Sequence, residues 1–489
     1  MSASVWQMAG VLLACGGAAA GLVLRDARWR YAALGLGLAA AVALIAGEVW
    51  DQERFQDLRS QPGVLVLGAL LAAVALGATA VTFERVPAAF AIAAFAVLPL
   101  RVPVRVGDET NFLLVPLYGV IAGGWMRAVL VLRHGRAEEL QQHGSPGAPS
   151  ESASARCLCW ALAAALVAYG IGVAWSEDVD NALRTVAFFL TPFAALLALL
   201  RDVRWHRKLV GQVLIAVALV AAVFAAIALY QHATRDLLLN KDLKDANQLH
   251  LYFRVNSLFR DPNVLGRYLV FAIVALAAWI AWRRPTREAL AGFALCGVLL
   301  TALAFTYSQT SFAALIAGLG VLAWFRLGLP GLGAAVGMVA IAAAALVLAG
   351  GPPDDEVGRE QDLAEVSSGR TSLISGGREL FEQEPLVGQG SGAFAISFRK
   401  KVERIKRPVS HTEPVTVAAE QGLLGLVPYA AVLLFSIAVF VRPWPSAGPE
   451  RAGVAACYAA LLVHTLGYAG FYIDPATWAL LALGLVLRE

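Results

Sequence analysis

Charged residues are scarce in this chain of 489 residues: 15% are Asp, Glu, Lys or Arg, whereas 59% are hydrophobic. An ordinary soluble domain has about 25% charged and about 45–50% apolar residues. The composition therefore excludes a typical soluble globular protein. The apolar residues come in blocks of about 17–25, the length that crosses the core of a bilayer. Such blocks begin, for example, at Gly63 and at Gly331.

Cysteines are also few, and they give no reason to expect disulfide bonds or a metal site. All five lie inside or at the edge of apolar runs: Cys15, Cys157, Cys159, Cys296 and Cys457. The Cys157-Leu-Cys159 pair lacks the spacing of a zinc or redox motif. We interpret these cysteines as small packing residues.

The hydropathy blocks predict an all-α, polytopic integral membrane protein with about 14 transmembrane helices, forming one membrane domain over residues 1–489. Short basic connectors begin at Arg25, Arg201, Arg283 and Arg442. The positive-inside rule places such connectors in the cytoplasm.

Alternation along the chain then assigns the remaining segments. Segments 233–263 and 351–414 fall on the extracytoplasmic face, the second as a large, partly helical loop. Segment 134–156 is rich in Ser, Gly and Pro, which is typical of a flexible linker, here on the cytoplasmic side. Nothing in this organisation suggests a nucleic-acid partner; the expected surroundings are the lipid bilayer.

Ionisable residues are nearly missing from the predicted spans, with His464, near a span end, among the few exceptions. A transporter is expected to have such residues in mid-span, where they are costly and functional. The polar residues lie instead in the two outer segments. This distribution favours chemistry at the membrane surface.

The first outer segment contains three arginines around an Asp-Pro turn that opens a span. Pro262 suits the first turn of a helix, which Asp261 can cap. We interpret Arg267 as an interfacial anchor. Arg254 lies before the helix start, where a planar guanidinium could bind a phosphate group through two hydrogen bonds.

The second outer segment predicts a helix with Ser367 or Ser368 as N-cap and a turn after Pro385, where the glycine-rich run begins. Arg370 and Arg378 are eight residues apart, about two helical turns, and so lie near one face. A basic run follows from Phe398, and it suits either anionic lipid headgroups or a substrate. His411 then precedes the next span, and by itself it could be an ordinary surface histidine.

The order of these motifs resembles the O-antigen ligase and polymerase superfamily. The motifs are Arg254 to Asn263, Gly369–Arg370, Pro385 to Phe394, His411, and Glu420 to Leu426. The resemblance is close over about residues 250–440. It implies a metal-independent membrane glycosyltransferase, without a cofactor, that takes a glycan from an undecaprenyl-diphosphate carrier. The glycan would pass to a glycolipid or glycan acceptor on the outer face of the cytoplasmic membrane.

The resemblance also implies roles for single residues. Arg254 and Arg370 would bind the diphosphate, and His411 would lie beside the reacting centre. Arginine can stabilise a leaving diphosphate without a metal ion. Histidine suits the removal of a proton from the acceptor hydroxyl near neutral pH.

The chain departs from the family at two positions. Thr412 stands where the family has an asparagine after the histidine, so Thr412 or Glu413 would have to replace it, with Glu420 as a further acceptor-side candidate. Gln309 stands where the family often has an arginine, which would shift the positive charge to Arg260 or Arg378.

The sequence does not separate a ligase from a polymerase that joins lipid-linked repeat units. A transporter or flippase of lipid-linked glycan is an alternative of a different class, and a structural membrane scaffold is a third.

Overall fold

The computed structural model describes residues 3–50, 53–106, 109–136, 140, 152–238, 243–244, 247, 253–284, 286–331, 333, 337, 370–402, 412–441 and 448–487. The first ten helices are α1 (Val5–Val23), α2 (Ala27–Val49), α3 (Glu53–Arg59), α4 (Pro62–Arg85), α5 (Pro87–Val97), α6 (Val115–Arg133), α7 (Ala153–Gly172), α8 (Val179–Thr185), α9 (Thr191–Arg201) and α10 (Arg207–Thr234). The later ones are α11 (Pro262–Ala281), α12 (Arg287–Ala304), α13 (Gln309–Leu327), α14 (Arg370–Gln383), α15 (Phe394–Lys401), α16 (Glu413–Val441), α17 (Pro449–Thr465) and α18 (Pro475–Val486).

Eleven helices within these described ranges are long and apolar enough to cross a membrane, which confirms a polytopic helical membrane protein. They coincide with eleven of the predicted spans, so the predicted count of about 14 is not confirmed. Of the other predicted spans, one became the short helix α5 and two became α17 and α18, which have 17 and 12 residues. The apolar run from Gly331 lies almost wholly outside the described residues.

Two strands, β1 (Val102–Val106) and β2 (Glu109–Leu113), form an antiparallel hairpin between α5 and α6. The hydropathy blocks predict helices only, with a short span over residues 86–100. That span is too short to cross a bilayer as a helix, because α5 has 11 residues. The hairpin is therefore an addition to a fold that is otherwise helical.

Polar contacts at one end of the bundle join the connectors predicted to be cytoplasmic. Arg30 forms an ion pair with Asp202, and Arg207 lies 3.9 Å from Glu450. The segments predicted to be outer meet at the opposite end, as alternation of the spans requires. We call this second end the outer end; the side of the membrane that it faces stays a prediction.

The core of the bundle is built where helices approach closely. Helix α1 packs on α2 and α7, α13 packs on α17, and α16 packs on α7. All five cysteines are free, in agreement with their interpretation as packing residues.

Candidate functional site

Glu420 joins two of the sequence motifs at the outer end. Its carboxylate is 8% exposed and accepts hydrogen bonds from the backbone N–H groups of Gly392 (2.9 Å) and Phe394 (3.1 Å). The two segments are also linked by their backbones, since Gln389 N donates to Ala419 O and Leu423 N donates to Pro385 O. Glu420 therefore holds the glycine-rich loop, residues 385–393, against the outer part of α16.

The same loop is bound on its other side by α7 and α8. Ser176 Oγ donates to the carbonyl of Ser391, Ser391 Oγ donates to that of Tyr169, and Asn181 Nδ2 donates to that of Gly392. Gly390 has a φ of +98°, and a Cβ atom there would lie 2.2 Å from the Cα atom of Ser176. Close backbone approach thus explains why this loop contains glycine.

The helix before the loop ends where the sequence predicts, whereas the predicted N-cap residues Ser367 and Ser368 lie outside the described residues. Helix α14 begins at Arg370 and ends at Gln383, just before Pro385. The side chain of Arg370 lies outside the described part of the chain. Arg378 is 79% exposed and bonds to Glu382 through Nε at 2.7 Å. Its guanidinium is therefore occupied by a local, solvent-exposed ion pair.

Arg254 lies in a backbone segment that is fixed from three directions. The side chain of Asn247 bonds to both the N–H and the C=O of Arg254, and Arg254 Nε donates to the carbonyl of Thr306 at 3.0 Å. Val255 N donates to the carbonyl of Phe305. The guanidinium of Arg254 is thus positioned beside the turn that links α12 to α13. Arg260, predicted as a second phosphate contact, is exposed just before α11.

A chain of buried polar groups runs inward from this turn. Ser308 Oγ donates to Asn263 Oδ1 at 2.7 Å and lies 2.8 Å from Ser311 Oγ, which in turn lies 3.2 Å from His464 Nε2. The Asp-Pro-Asn motif, the start of α13 and the end of α17 therefore meet here. His464 had been noticed in the sequence only as an ionisable residue near a span end.

His411, the predicted catalytic residue, lies outside the described residues, but the two residues that follow it are described. Thr412 Oγ1 donates to the carbonyl of Leu466 at 3.1 Å. Glu413 is buried, and its carboxylate accepts from the backbone N–H groups of Gly470 (2.6 Å) and Phe471 (3.1 Å). The start of α16 is therefore tied to the loop between α17 and α18, residues 466–474.

That loop brings an acidic residue to an arginine inside the bundle. Arg267 is 4% exposed, and its Nη2 lies 2.6 Å from Asp474 Oδ2. The interpretation of Arg267 as an interfacial anchor is wrong, because the side chain turns into the bundle and pairs with a residue more than two hundred positions further along the chain. Arg101, which precedes β1, lies near the same ion pair.

Arg101 was missed altogether by the sequence reasoning. It sits in a stretch that the hydropathy pattern assigned to the end of a short span, where a basic residue attracts no notice. The pKa of its guanidinium is lowered by burial, which outweighs the opposite effect of Asp474, and Arg267 lowers it further. Its charged form is therefore held in a costly environment.

The bundle and its polar outer end define a polytopic membrane protein with a buried cationic site near one membrane surface. Residues 294–430 match the family model described as O-antigen ligase. No curated protein sequence matches the chain. The family match confirms the resemblance to the O-antigen ligase and polymerase superfamily, whose members are membrane glycosyltransferase-like enzymes. It includes most of α12, all of α13 to α15 and the first part of α16, whereas Arg254 and Arg267 lie before it.

Proposed function

We propose that this protein is an O-antigen ligase-like glycosyltransferase that moves a glycan from an undecaprenyl-diphosphate carrier to an acceptor. The reaction would take place at the extracytoplasmic face of the cytoplasmic membrane. The observation that carries the proposal is the joining of the family's motifs at one end of the bundle. Glu420 binds the glycine-rich loop, and Arg254 lies beside the turn between α12 and α13, which falls within the matched region.

The proposed transfer is a single displacement. The acceptor hydroxyl gives its proton to His411 as its oxygen attacks the anomeric carbon of the donor sugar. The bond between that carbon and the diphosphate oxygen breaks, and the diphosphate leaves with the bonding electron pair. Arg254 and Arg370 would stabilise the negative charge that develops on it. Arg260 and Arg378 are secondary candidates for the same task.

The positions of Thr412 and Glu413, the two residues after His411, support the assignment of His411 to the site. Both bond to loop 466–474, so the backbone that carries His411 is attached to a fixed part of the outer end. We propose that these residues, and Glu420 in the same helix, orient the acceptor side of the site.

The test uses purified protein with a lipid-linked glycan donor and a set of acceptors. Release of undecaprenyl diphosphate together with a glycosylated acceptor supports the proposal. Extension of the glycan on its own carrier would identify a polymerase instead. Movement of labelled donor across liposomes without its consumption would identify a flippase and reject a transferase.

The variant His411→Ala should reduce transfer by about 10²–10⁴-fold, the usual contribution of a positioned base. Activity of the unchanged protein should also fall below about pH 6, where an unperturbed imidazole becomes protonated. Near-normal turnover of the variant would remove His411 from the mechanism.

A further inference from the structure

A deep apolar groove of about 500 Å³ runs between α10, α11, α17 and α18. Its walls are mainly aliphatic and aromatic side chains such as Val213, Phe271, Trp279 and Leu480. Arg267 of α11 lies on the wall near the outer end, and Trp282, the residue directly after α11, lies on the wall near the other end. Fifteen residues separate the two along α11, which corresponds to about 22 Å. The groove therefore extends over much of the depth of a bilayer core.

Charged groups lie at the two ends of the groove. Arg101, Arg267 and Asp474 line its outer end, and Arg207, Arg283 and Glu450 line the opposite end. At the opposite end both arginines have acidic neighbours, since Arg207 lies 3.9 Å from Glu450 and Arg283 lies 3.4 Å from Glu288. The outer end is different, because two arginines share one aspartate there.

The outer arginines have hydrogen-bond donors that are not used. Nη1 of Arg267 and Nε of Arg101 are buried and have no acceptor among the residues that the structure describes. The nearby carboxylate of Glu413 is engaged by Gly470 and Phe471. A buried donor without a partner destabilises the protein, and more strongly when it is charged. Such a cost at membrane depth is typical of a functional site.

The charge and the shape of this region fit one kind of ligand. Two arginines and one aspartate line the outer end, and the unused guanidinium donors there suit the oxygens of a phosphate. The remaining walls are apolar and suit a long hydrocarbon chain. An amphiphile with a phosphate head and a hydrocarbon tail complements both parts at once.

We propose that this groove binds the polyprenyl chain of a lipid carrier, with Arg101 and Arg267 as positioning residues that hold its phosphate groups at the outer end. The inference rests on the proposed function for the identity of the lipid. It adds two arginines that the family motifs do not contain. Arg254 does not line the groove, so its predicted contact with the diphosphate is a separate assignment.

The test is a binding measurement on the purified full-length protein in detergent, with labelled undecaprenyl phosphate as the probe and no sugar or acceptor present. Arg101→Gln should weaken binding by about 10- to 100-fold, as expected for a lost charged hydrogen bond. Arg207→Gln, at the opposite end of the same groove, is the matched control and should bind as the unchanged protein does.

Arg267→Gln alone would leave Asp474 buried without its partner and could prevent folding. The double variant Arg267→Gln/Asp474→Asn avoids this problem and should also lose binding while the protein stays monodisperse.

The tail is tested by filling the groove. Gly211 lines it, and a Cβ atom added there meets no atom within 4 Å, so Gly211→Leu projects into open space. This variant should reduce binding of undecaprenyl phosphate several-fold. Gly297 has equally open surroundings but is not on the groove wall, and Gly297→Leu should have no effect.

Competition identifies the ligand. Unlabelled undecaprenol, which lacks the phosphate, should compete poorly, and so should phosphatidylglycerol. Equal competition by phosphatidylglycerol would show an ordinary lipid site and overturn the proposal, as would unchanged binding by Arg101→Gln. Because the assay involves no transfer, binding that depends on Arg101 in a protein without transferase activity would support the groove and reject the proposed function.

Discussion

The carboxylate of Glu420 accepts a hydrogen bond from the backbone N–H of Gly392 at 2.9 Å, although 28 positions separate the two residues. The second oxygen of the same carboxylate accepts from Phe394 N. One acidic side chain thus fixes the end of the glycine-rich loop to the helix that follows His411. Two of the sequence motifs are thus joined by this buried side chain, together with backbone hydrogen bonds such as that from Gln389 N to Ala419 O.

Replacement of Glu420 by alanine should destabilise the protein by about 2–4 kcal/mol, because two buried N–H groups lose their acceptor. The loss of stability for Glu420→Gln should be smaller than that for Glu420→Ala, since the amide oxygen of glutamine can still accept one hydrogen bond. Thermal unfolding of the purified variants measures this effect. Glu382→Ala removes an exposed carboxylate and should change stability by less than about 1 kcal/mol. Equal midpoints for Glu420→Ala and Glu382→Ala would contradict the structural role of Glu420.

Gly390→Ala should be strongly destabilising or prevent folding. The added methyl group would lie 2.2 Å from a backbone atom of Ser176, and the φ of +98° is strained for any residue with a side chain. Yield and unfolding midpoint in detergent are the measurements. Gly68→Ala is the control, because a Cβ atom at Gly68 meets open space within a helix. A normal midpoint for Gly390→Ala would mean that the loop does not approach Ser176 as described.

Glu177 links the segment after α7 to α15 through ion pairs with Lys400 (3.4 Å) and Lys401 (3.1 Å). Burial raises the pKa of Glu177, but its bond to Lys401 and the charges of both lysines outweigh this effect, so the pKa is lowered overall. A carboxylate with a lowered folded-state pKa stabilises the fold above its unfolded pKa, and this stabilisation disappears as pH falls through the folded value.

The difference in unfolding midpoint between the unchanged protein and Glu177→Gln should therefore be constant from pH 7 to about pH 5 and shrink below about pH 4. Glu288→Gln, in an exposed ion pair at the other end of the bundle, serves as the control. A difference that grows as the pH falls would contradict the ion pairs of Glu177.

Arg254→Lys should reduce transfer nearly as much as Arg254→Gln. Nε of Arg254 bonds to the carbonyl of Thr306, and this bond orients the rest of the guanidinium. Lysine carries the charge, but it lacks the planar guanidinium that can form two parallel hydrogen bonds with a phosphate. Initial rates at saturating donor are the measurement, with Arg326→Lys as the control, because Nε of Arg326 also donates to a backbone carbonyl, that of Ala281, but lies at the opposite end of the bundle. Full activity of Arg254→Lys would show that only charge is needed at this position.

Much of the fold could be predicted from hydrophobic runs, because a span needs about 20 apolar residues whatever surrounds it. Helix α10 and the end of α14 before Pro385 followed directly from such local signals. The hairpin after α5 did not, since its strands lie mostly in the connector between two predicted spans, where hydropathy predicts no secondary structure. The pairing of β1 with β2 depends on contacts that hydropathy does not describe.

The site divides in the same way. By itself the sequence determined that this is a polytopic membrane protein with two polar segments. It also determined that the motifs follow each other in the order seen in one family, because residue type and spacing are local properties. Only the tertiary structure decided which polar groups are buried together. In the sequence Arg267 looks like an interfacial anchor at the start of a span. In the structure it pairs with Asp474, which lies at the start of α18. The sequence makes Glu420 an acceptor-side candidate, and only the structure shows that its carboxylate accepts from the Gly392 and Phe394 amides. Burial and pairing depend on where distant helices pack, and no local pattern of residues contains that information.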